Sequence, residues 1–229
     1  MWGSLAVIGS LSACKDDNEK LNAIIIVESQ FQTTVEDWAG GFAEYSTETN
    51  DSTLQMSFGR ARLPALLDST KYGLRMQGHN RSDDMFMFLK KKVTGLTPGR
   101  EYKVTFDIDL GTNYPASGFG VGGSAGSSVY LKAGASPNEP VVKLIDTVYT
   151  INIDKGAQSE GGTEMVVLGN VANGVDEDVY KLVSRSNSDN PVTVKANANG
   201  EIWLCAGTDS GFEGLTILYY DRIKATIRE

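Results

Sequence analysis

Histidine and cysteine are nearly absent: the 229-residue chain holds one His, His79, and two Cys, Cys14 and Cys205. A His/Cys zinc centre, which needs about four such ligands, is therefore not expected. His79 has no nucleophile motif around it, so neither is a Ser-His-acid triad. Proline is sparse at 6 residues while glycine reaches 25, which suits a turn-rich β protein better than a helical one. Basic charge is in the minority, 21 Lys and Arg against 29 Asp and Glu, for a formal net charge of −8. Phosphate backbones bind basic surface, so this balance argues against nucleic acid as a partner. Beyond the opening residues no apolar run approaches the roughly 20 residues of a membrane-spanning helix. What is plentiful is apolar residue, 41% of the chain, enough for one substantial core and too much for disorder.

The chain opens with WGSLAVIGSLSAC, followed at once by the charged stretch KDDNEK. An apolar segment closing on small residues ahead of a polar one is how a secretory signal ends. At Leu11-Ser12-Ala13-Cys14 it closely resembles the lipobox of bacterial lipoproteins. That resemblance implies cleavage before Cys14, lipid modification of Cys14, and attachment to a membrane through the lipid alone. It departs from the pattern in that no Lys or Arg precedes the apolar segment, which a start further upstream would explain. A buried first strand is the alternative. Lys15-Asp16-Asp17 is similar to the acidic tag that sends many lipoproteins of Bacteroidetes-type bacteria to the outer cell surface; a plain solvated tether is the other reading. The expected organisation is a signal over residues 1–14, an acidic tether over 15–22 and a single β-sandwich domain over 23–229. The expected place is the outer membrane, exposed on the cell surface, with a periplasm-facing position as the alternative. Cys205, then the only unmodified thiol, sits in Ile202-Trp203-Leu204-Cys205-Ala206 and reads as a small core residue.

Period-two alternation recurs along the rest of the chain. It is cleanest where Tyr102, Val104, Phe106, Ile108 and Leu110 point one way and Lys103, Thr105, Asp107 and Asp109 the other. Met85–Leu89 is apolar without alternation and is expected to be covered on both faces, with Lys90–Lys92 emerging into solvent. Asn199-Gly200 marks a reverse turn between two short strands. In the closing stretch, Leu215, Ile217, Tyr219, Ile223, Ala225 and Ile227 share one parity, and Arg222, Lys224, Thr226 and Arg228 the other. Asp221 falls on the apolar parity, so it must be paired, hydrogen-bonded or metal-bound, unless a bulge takes it out of register. Many short strands without a long amphipathic helix predict an all-β fold, a two-sheet β-sandwich.

The turn Gly95-Leu96-Thr97-Pro98-Gly99, with REYKVTFDIDL after it, resembles a middle strand of galactose-binding-like, carbohydrate-binding jelly rolls. YYDRIKATI resembles their last strand, and Glu28–Phe42, with Trp38, is similar to their opening segment. The chain also resembles a group of Bacteroides-type surface lipoproteins. The resemblance implies a jelly-roll architecture, glycan binding through loops, and a possible structural Ca2+ held by Asp221 together with Glu28 and Gln30, with Glu36 as a further donor. The opening segment Ser29-Gln30-Phe31-Gln32 departs by lacking the acid usual beside that phenylalanine. A buried ion pair, or an outward place after a bulge, are the other readings of Asp221.

Three loops carry the remaining chemistry. His79-Asn80-Arg81-Ser82-Asp83-Asp84 is the densest polar run, and His79, Asn80, Asp83 and Asp84 are candidate ligand residues; turn chemistry is the plainer account. Gly118–Ser128 lacks the Lys-Ser/Thr of a phosphate loop and reads as a sandwich loop, with Tyr114 and Phe119 as candidate rings. Thr208–Gly214 offers Asp209, Phe212 and Glu213. Sugars need flat rings for their apolar faces and carboxylates or amides for their hydroxyls, which adds Trp38 and Phe42 to the candidates. The expected function is non-catalytic glycan binding at a cell surface. The alternatives are a structural or adhesive protein binding a protein partner, and a glycoside hydrolase or lyase using a pair from Asp84, Glu139, Asp209 and Glu213.

Overall fold

The computed structural model describes residues 24–82 and 84–229. The signal, the tether, Cys14 and the candidate ligand residue Asp83 lie outside the described residues. In chain order the strands are β1 (Ile24–Ser29), β2 (Ala39–Ala43), β3 (Tyr45–Ser46), β4 (Ser57–Arg62), β5 (Tyr72–His79), β6 (Met85–Val93), β7 (Glu101–Thr112), β8 (Val129–Ser136), β9 (Val142–Ile145), β10 (Val148–Ile151), β11 (Met165–Asn170), β12 (Lys181–Ser186), β13 (Val192–Lys195), β14 (Ile202–Ser210) and β15 (Leu215–Arg228). One helical turn, α1 (Asp51–Leu54), is capped by Asn50, whose side chain accepts from the Ser52 N–H.

Two antiparallel sheets form the sandwich. The first runs β12-β7-β15-β5-β4, with β13 also on β7 and β1 also on β15; the second runs β11-β8-β14-β6-β2. A third, small sheet, β3-β10-β9, accompanies them. Tyr102, Val104, Phe106, Ile108 and Leu110 of β7 are all buried, as their alternation requires, and meet Met85, Met87, Leu89, Leu131, Leu204 and Ala206 of the second sheet in one core. The alternate residues of the second sheet face away from that core. Phe86, Phe88 and Cys205 there pack with Ala43, Ile153 and Met165 in a separate cluster. This explains why Met85–Leu89 is apolar without alternation: both of its faces are covered. Cys205 is a free, fully buried thiol, and burial pushes its pKa up.

β15 is the hub, pairing with β7 along one edge and with β5 and then β1 along the other. Its register on β7 shifts between Tyr220 and Arg222, so Asp221 is the extra residue of a bulge. The bulge corrects the single-parity expectation. Ahead of it the buried residues are Thr216, Leu218 and Tyr220; beyond it Ile223, Ala225 and Ile227 are buried in the core, and Thr226 between the last two is buried as well. Leu215, Ile217 and Tyr219 are only half-buried. An extra residue inverts the face of everything after it, which is how a carboxylate on the apparent apolar parity escapes the core.

A second correction concerns Thr208–Ser210. These residues continue β14 rather than forming a loop, and Asp209 lies fully buried on a central strand. Asn199-Gly200 does form its turn: Gly200 has φ +70°, and a Cβ there would run into the Leu96 carbonyl.

Candidate functional site

One end of the sandwich gathers the loops that follow β5, β7 and β14. The Asn80 side-chain amide, buried, donates to the carbonyls of Ser210 (2.8 Å) and Phe212 (3.1 Å). The Gly211 and Glu213 N–H groups donate to the carbonyls of Ser128 and Val121. Gly122, at φ +73°, lies so close to Gly211 that any Cβ would meet its carbonyl. The close approach that glycine permits there is to a neighbouring loop.

These contacts assign several candidate residues to structural work. Asn80 ties the 79–84 loop to the 210–214 turn. The Tyr114 hydroxyl accepts from Ile217 N–H (2.7 Å) and donates to the Leu215 carbonyl (3.3 Å), locking the start of β15. Trp38 is in the core with Nε1 donating to Ser29 Oγ, so its ring offers no free face. Phe42 and Phe212 are partly buried against the same core. His79 Nδ1 lies 3.4 Å from the Gln55 amide. Glu213 is exposed, and Phe119 is fully exposed at its loop tip.

Asp84 and Asp209 do come together. Asp209 Oδ2 accepts from Lys132 Nζ and Lys155 Nζ, each at 2.8 Å. Lys132 Nζ also donates to the carbonyls of Lys155 (2.9 Å) and Ala157 (3.0 Å), so it fastens the 155–157 loop over the outer face of the second sheet. Asp84 and Asp209 are in carboxyl–carboxyl hydrogen-bonding contact. Asp84 Oδ1 and Asp209 Oδ1 are both buried without a hydrogen-bond donor, a setting that favours the neutral form of one of the two carboxyls. Burial first, then this contact, push Asp84 up to about 8. Burial works against the Asp209 carboxylate too, but the Asp84 proton and the two ammonium groups outweigh it and hold its pKa low. Lys132 is lowered by burial despite Asp209, whereas the charge of Asp209 keeps Lys155 raised despite burial.

Asp84 also forms part of the wall of a cavity of ≈ 220 Å³, shared with Glu44, Tyr45, Ser46, Ser82 and Val148. Glu44 sits between β2 and β3 at φ +62°, a conformation rare outside glycine. Its N–H donates to the Tyr149 carbonyl, fixing the bend that presents Glu44 and Tyr45 together. Tyr45 stacks on Tyr149 with ring centroids 4.7 Å apart. Burial, then Tyr149 and Asp51, raise the Tyr45 phenol. The cavity therefore joins an aromatic ring and an aliphatic side chain with three hydroxyls, those of Tyr45, Ser46 and Ser82, and two carboxyl groups. Glu44, Tyr45, Ser46, Ser82 and Val148 were not legible as site residues. They come from three separate segments, and only the polarity of the 79–84 run hinted at one of them.

A larger cavity, ≈ 340 Å³, lies at the bulge and is bounded by Gln30, Gln32, Lys71, Asp221 and Arg222. It brings Asp221 and Gln30 together, and Glu28 is adjacent, 3.9 Å from Arg222. Burial raises Asp221, opposed by Lys71 and Arg222. Calcium needs six to eight oxygens, commonly including backbone carbonyls. Here Arg60 Nε donates to the Phe31 carbonyl (2.7 Å) and its Nη2 to that of Gln32. Glu36 is engaged by the N–H groups of Gln30 and Phe31. With two cations in the wall and the opening carbonyls taken by a guanidinium, the residues present do not fit a calcium ion. Among the described residues no group of three or more His, Cys, Asp or Glu is disposed to hold a metal.

No family model and no curated protein matches the chain. Among solved structures, TmCBM61 in complex with beta-1,4-galactotriose is similar at TM-score 0.37 and 10% identity, over 84% of this chain and 88% of that one. TmCBM27, a carbohydrate-binding module described for specific mannan recognition, is similar at TM-score 0.38 and 9% identity, over 90% and 99%. The enzymatically active domain of bacteriophage CBA120 tailspike protein 4 is similar at TM-score 0.34 and 10% identity; the match covers 85% of this chain and 20% of the tailspike domain. Likeness at this level says nothing about the site.

Proposed function

We propose that the protein is a non-catalytic glycan-binding β-sandwich, carried as a lipoprotein on the outer cell surface, and that the ligand occupies the cavity at Tyr45 and Asp84. The observation that carries this reading is the make-up of the wall: a ring and Val148 for the apolar face of a sugar, and Glu44, Asp84, Ser46 and Ser82 for its hydroxyls. The hydrolase alternative gains no pair from Asp84, Glu139, Asp209 and Glu213. Glu139 is held by Lys90 at 2.7 Å, Glu213 is exposed, and Asp84 and Asp209 touch one another. Glycosidase carboxyls stand about 5 Å or more apart with the scissile bond between them.

The test is a glycan array probed with the full chain, with Tyr45→Ala and with Asp84→Asn. Saturable binding to one sugar class, abolished by Tyr45→Ala, supports the reading. A blank array, or binding indifferent to both substitutions, sinks it. Release of reducing ends from a bound glycan, lost in Asp84→Asn, would overturn the non-catalytic part.

One observation favours the protein-binding alternative. Leu144, Ile145 and Val148 are exposed on the β9–β10 hairpin beside the cavity. Loss of cell adhesion in a Leu144→Ser, Ile145→Ser double variant that still binds glycan would support it.

A further inference from the structure

We infer that the outer face of the first sheet carries a second glycan site, one that takes an acidic sugar, a uronate, through the guanidinium of Arg75. This site shares no wall residue with the Tyr45 cavity and does not rest on it.

Strand parity builds the platform. Leu74, Met76, Leu218 and Tyr220 are buried in the core, so Arg75, Gln77, Ile217 and Tyr219 lie half-buried on the opposite face of β5 and β15. Register sets Arg75 directly between Gly59 of β4 and Tyr219 of β15, with Gln77 opposite Ile217. Tyr180 meets the Tyr219 ring edge-on, with centroids 5.8 Å apart. Leu67 reaches over Gly111, the partner of Tyr219 on β7, so the 63–71 loop bounds the platform on that side.

Arg75 is held in place there without being neutralised. Its Nη2 donates to Gln77 Oε1, and Gln77 Nε2 donates to the Gln55 carbonyl (2.9 Å) at the left-handed C-cap of α1. An amide thus steadies the guanidinium where a carboxylate would have cancelled its charge. That is its one hydrogen bond, and no Asp or Glu among the described residues pairs with it. Arginine carries five N–H donors in a planar fork, so most of the fork meets no acceptor among those residues. Beside it, Gly59 has no left-handed backbone, and a Cβ placed there would meet nothing within 4 Å. Neither conformation nor crowding calls for a glycine; its bare strand keeps the space next to the guanidinium clear.

A free arginine fork next to a tyrosine ring suits a pyranose that bears a carboxylate. The carboxylate meets the fork as a bidentate, charge-assisted pair, and the apolar face of the sugar lies against Tyr219 and Ile217. A neutral sugar leaves the charge unanswered, and an amino sugar is repelled. The surroundings carry the same sign: burial and Tyr219 raise the Tyr180 phenol, Arg75 lowers it, and no carboxylate acts on it. In a chain of net charge −8 this is a locally positive place.

The experiment is isothermal titration calorimetry of the full chain with tetragalacturonate and tetramannuronate, each beside its carboxyl-reduced, neutral counterpart. The expected result is that at least one uronate binds about tenfold or more tighter than its neutral counterpart, the scale of a charge-assisted pair. Arg75→Met keeps the stem and should erase that preference. Gly59→Val fills the clear space and should abolish binding; should Arg75→Met fail to fold, Gly59→Val decides, because a Cβ there touches nothing. Lys143→Met removes one positive charge from an exposed position on β9 and should keep the preference, as should Tyr45→Ala. Equal loss in Lys143→Met overturns the inference, since net charge alone would then explain the effect. Uronate binding that survives Arg75→Met or Gly59→Val but is lost in Tyr45→Ala also overturns it and moves the ligand to the cavity. Binding of neither uronate, or of the neutral forms equally well, overturns it and leaves the cavity reading to its own test.

Discussion

At Asp84 the folded chain holds a proton that the unfolded chain gives up, because burial and the Asp209 carboxyl raise the folded pKa to about 8 from the ordinary carboxyl value of 3.8. Linkage fixes the sign: the folded state binds more protons between those values, so the Asp84 contribution is full below the lower one and is lost as pH rises through the upper. Most buried carboxylates act in the opposite sense. Asp209 does, since its pKa is held low and its contribution is lost only in acid. The prediction is that wild type loses stability from pH 5 to pH 8.5 relative to Asp84→Asn, whose amide stays neutral throughout. Urea denaturation midpoints at the two pH values check it. A stability difference between the two proteins that does not change with pH would show that Asp84 is ionised in the fold, without a shared proton.

At the scale of elements, legibility followed locality. Where a strand buries one face, period two is written into its sequence, and β7 could be read residue by residue. The bulge in β15 was visible only as a conflict, Asp221 on an apolar parity, and its consequence for Leu215, Ile217 and Tyr219 was not. The ionic cluster left no local sign. Asp209 reaches Lys132 across 77 residues and Lys155 across 54, and Thr-Asp-Ser has the composition of a loop. The opening segment was legible as a candidate cation site, yet the cation it holds is part of the chain. Arg60 bonds the Phe31 and Gln32 carbonyls and stacks 3.5 Å from the Tyr72 ring centroid, while Phe31 is buried at φ +61°. Arg60→Met keeps the stem and removes the donors. Two charge-assisted hydrogen bonds, at about 1.5–3 kcal/mol each, set the scale, so the substitution should lower Tm by about 6 °C or more. Chelator should leave the wild-type Tm unchanged. A wild-type Tm that falls in chelator and recovers with calcium would place a metal at Asp221 after all.

For the whole molecule, the course of β15 sets which loops lie at the end of the sandwich opposite Ile24. Ile24, the first described residue, pairs with Arg228 at the C-terminal end of β15, whereas His79 pairs with Leu215 at the other. At about 3.3 Å per residue the 14-residue strand separates those ends by roughly 45 Å. The 79–84 and 211–214 loops, and with them Asp84 and the cavity, lie at the Leu215 end. If Cys14 carries a lipid, as proposed, the chain leaves the membrane at the Arg228 end and presents the cavity away from it. Two measurements bear on this in the native host. Metabolic labelling with an alkyne fatty acid should mark the wild-type protein and not Cys14→Ala. An epitope inserted beside Phe119, the fully exposed tip of the 113–128 loop, should be stained by antibody on intact cells. Labelling without staining would place the lipoprotein on the periplasmic side, where the cavity could meet only glycans that have already crossed the outer membrane. No labelling at all would remove the anchor, and the outward orientation of the cavity would lose its physical cause.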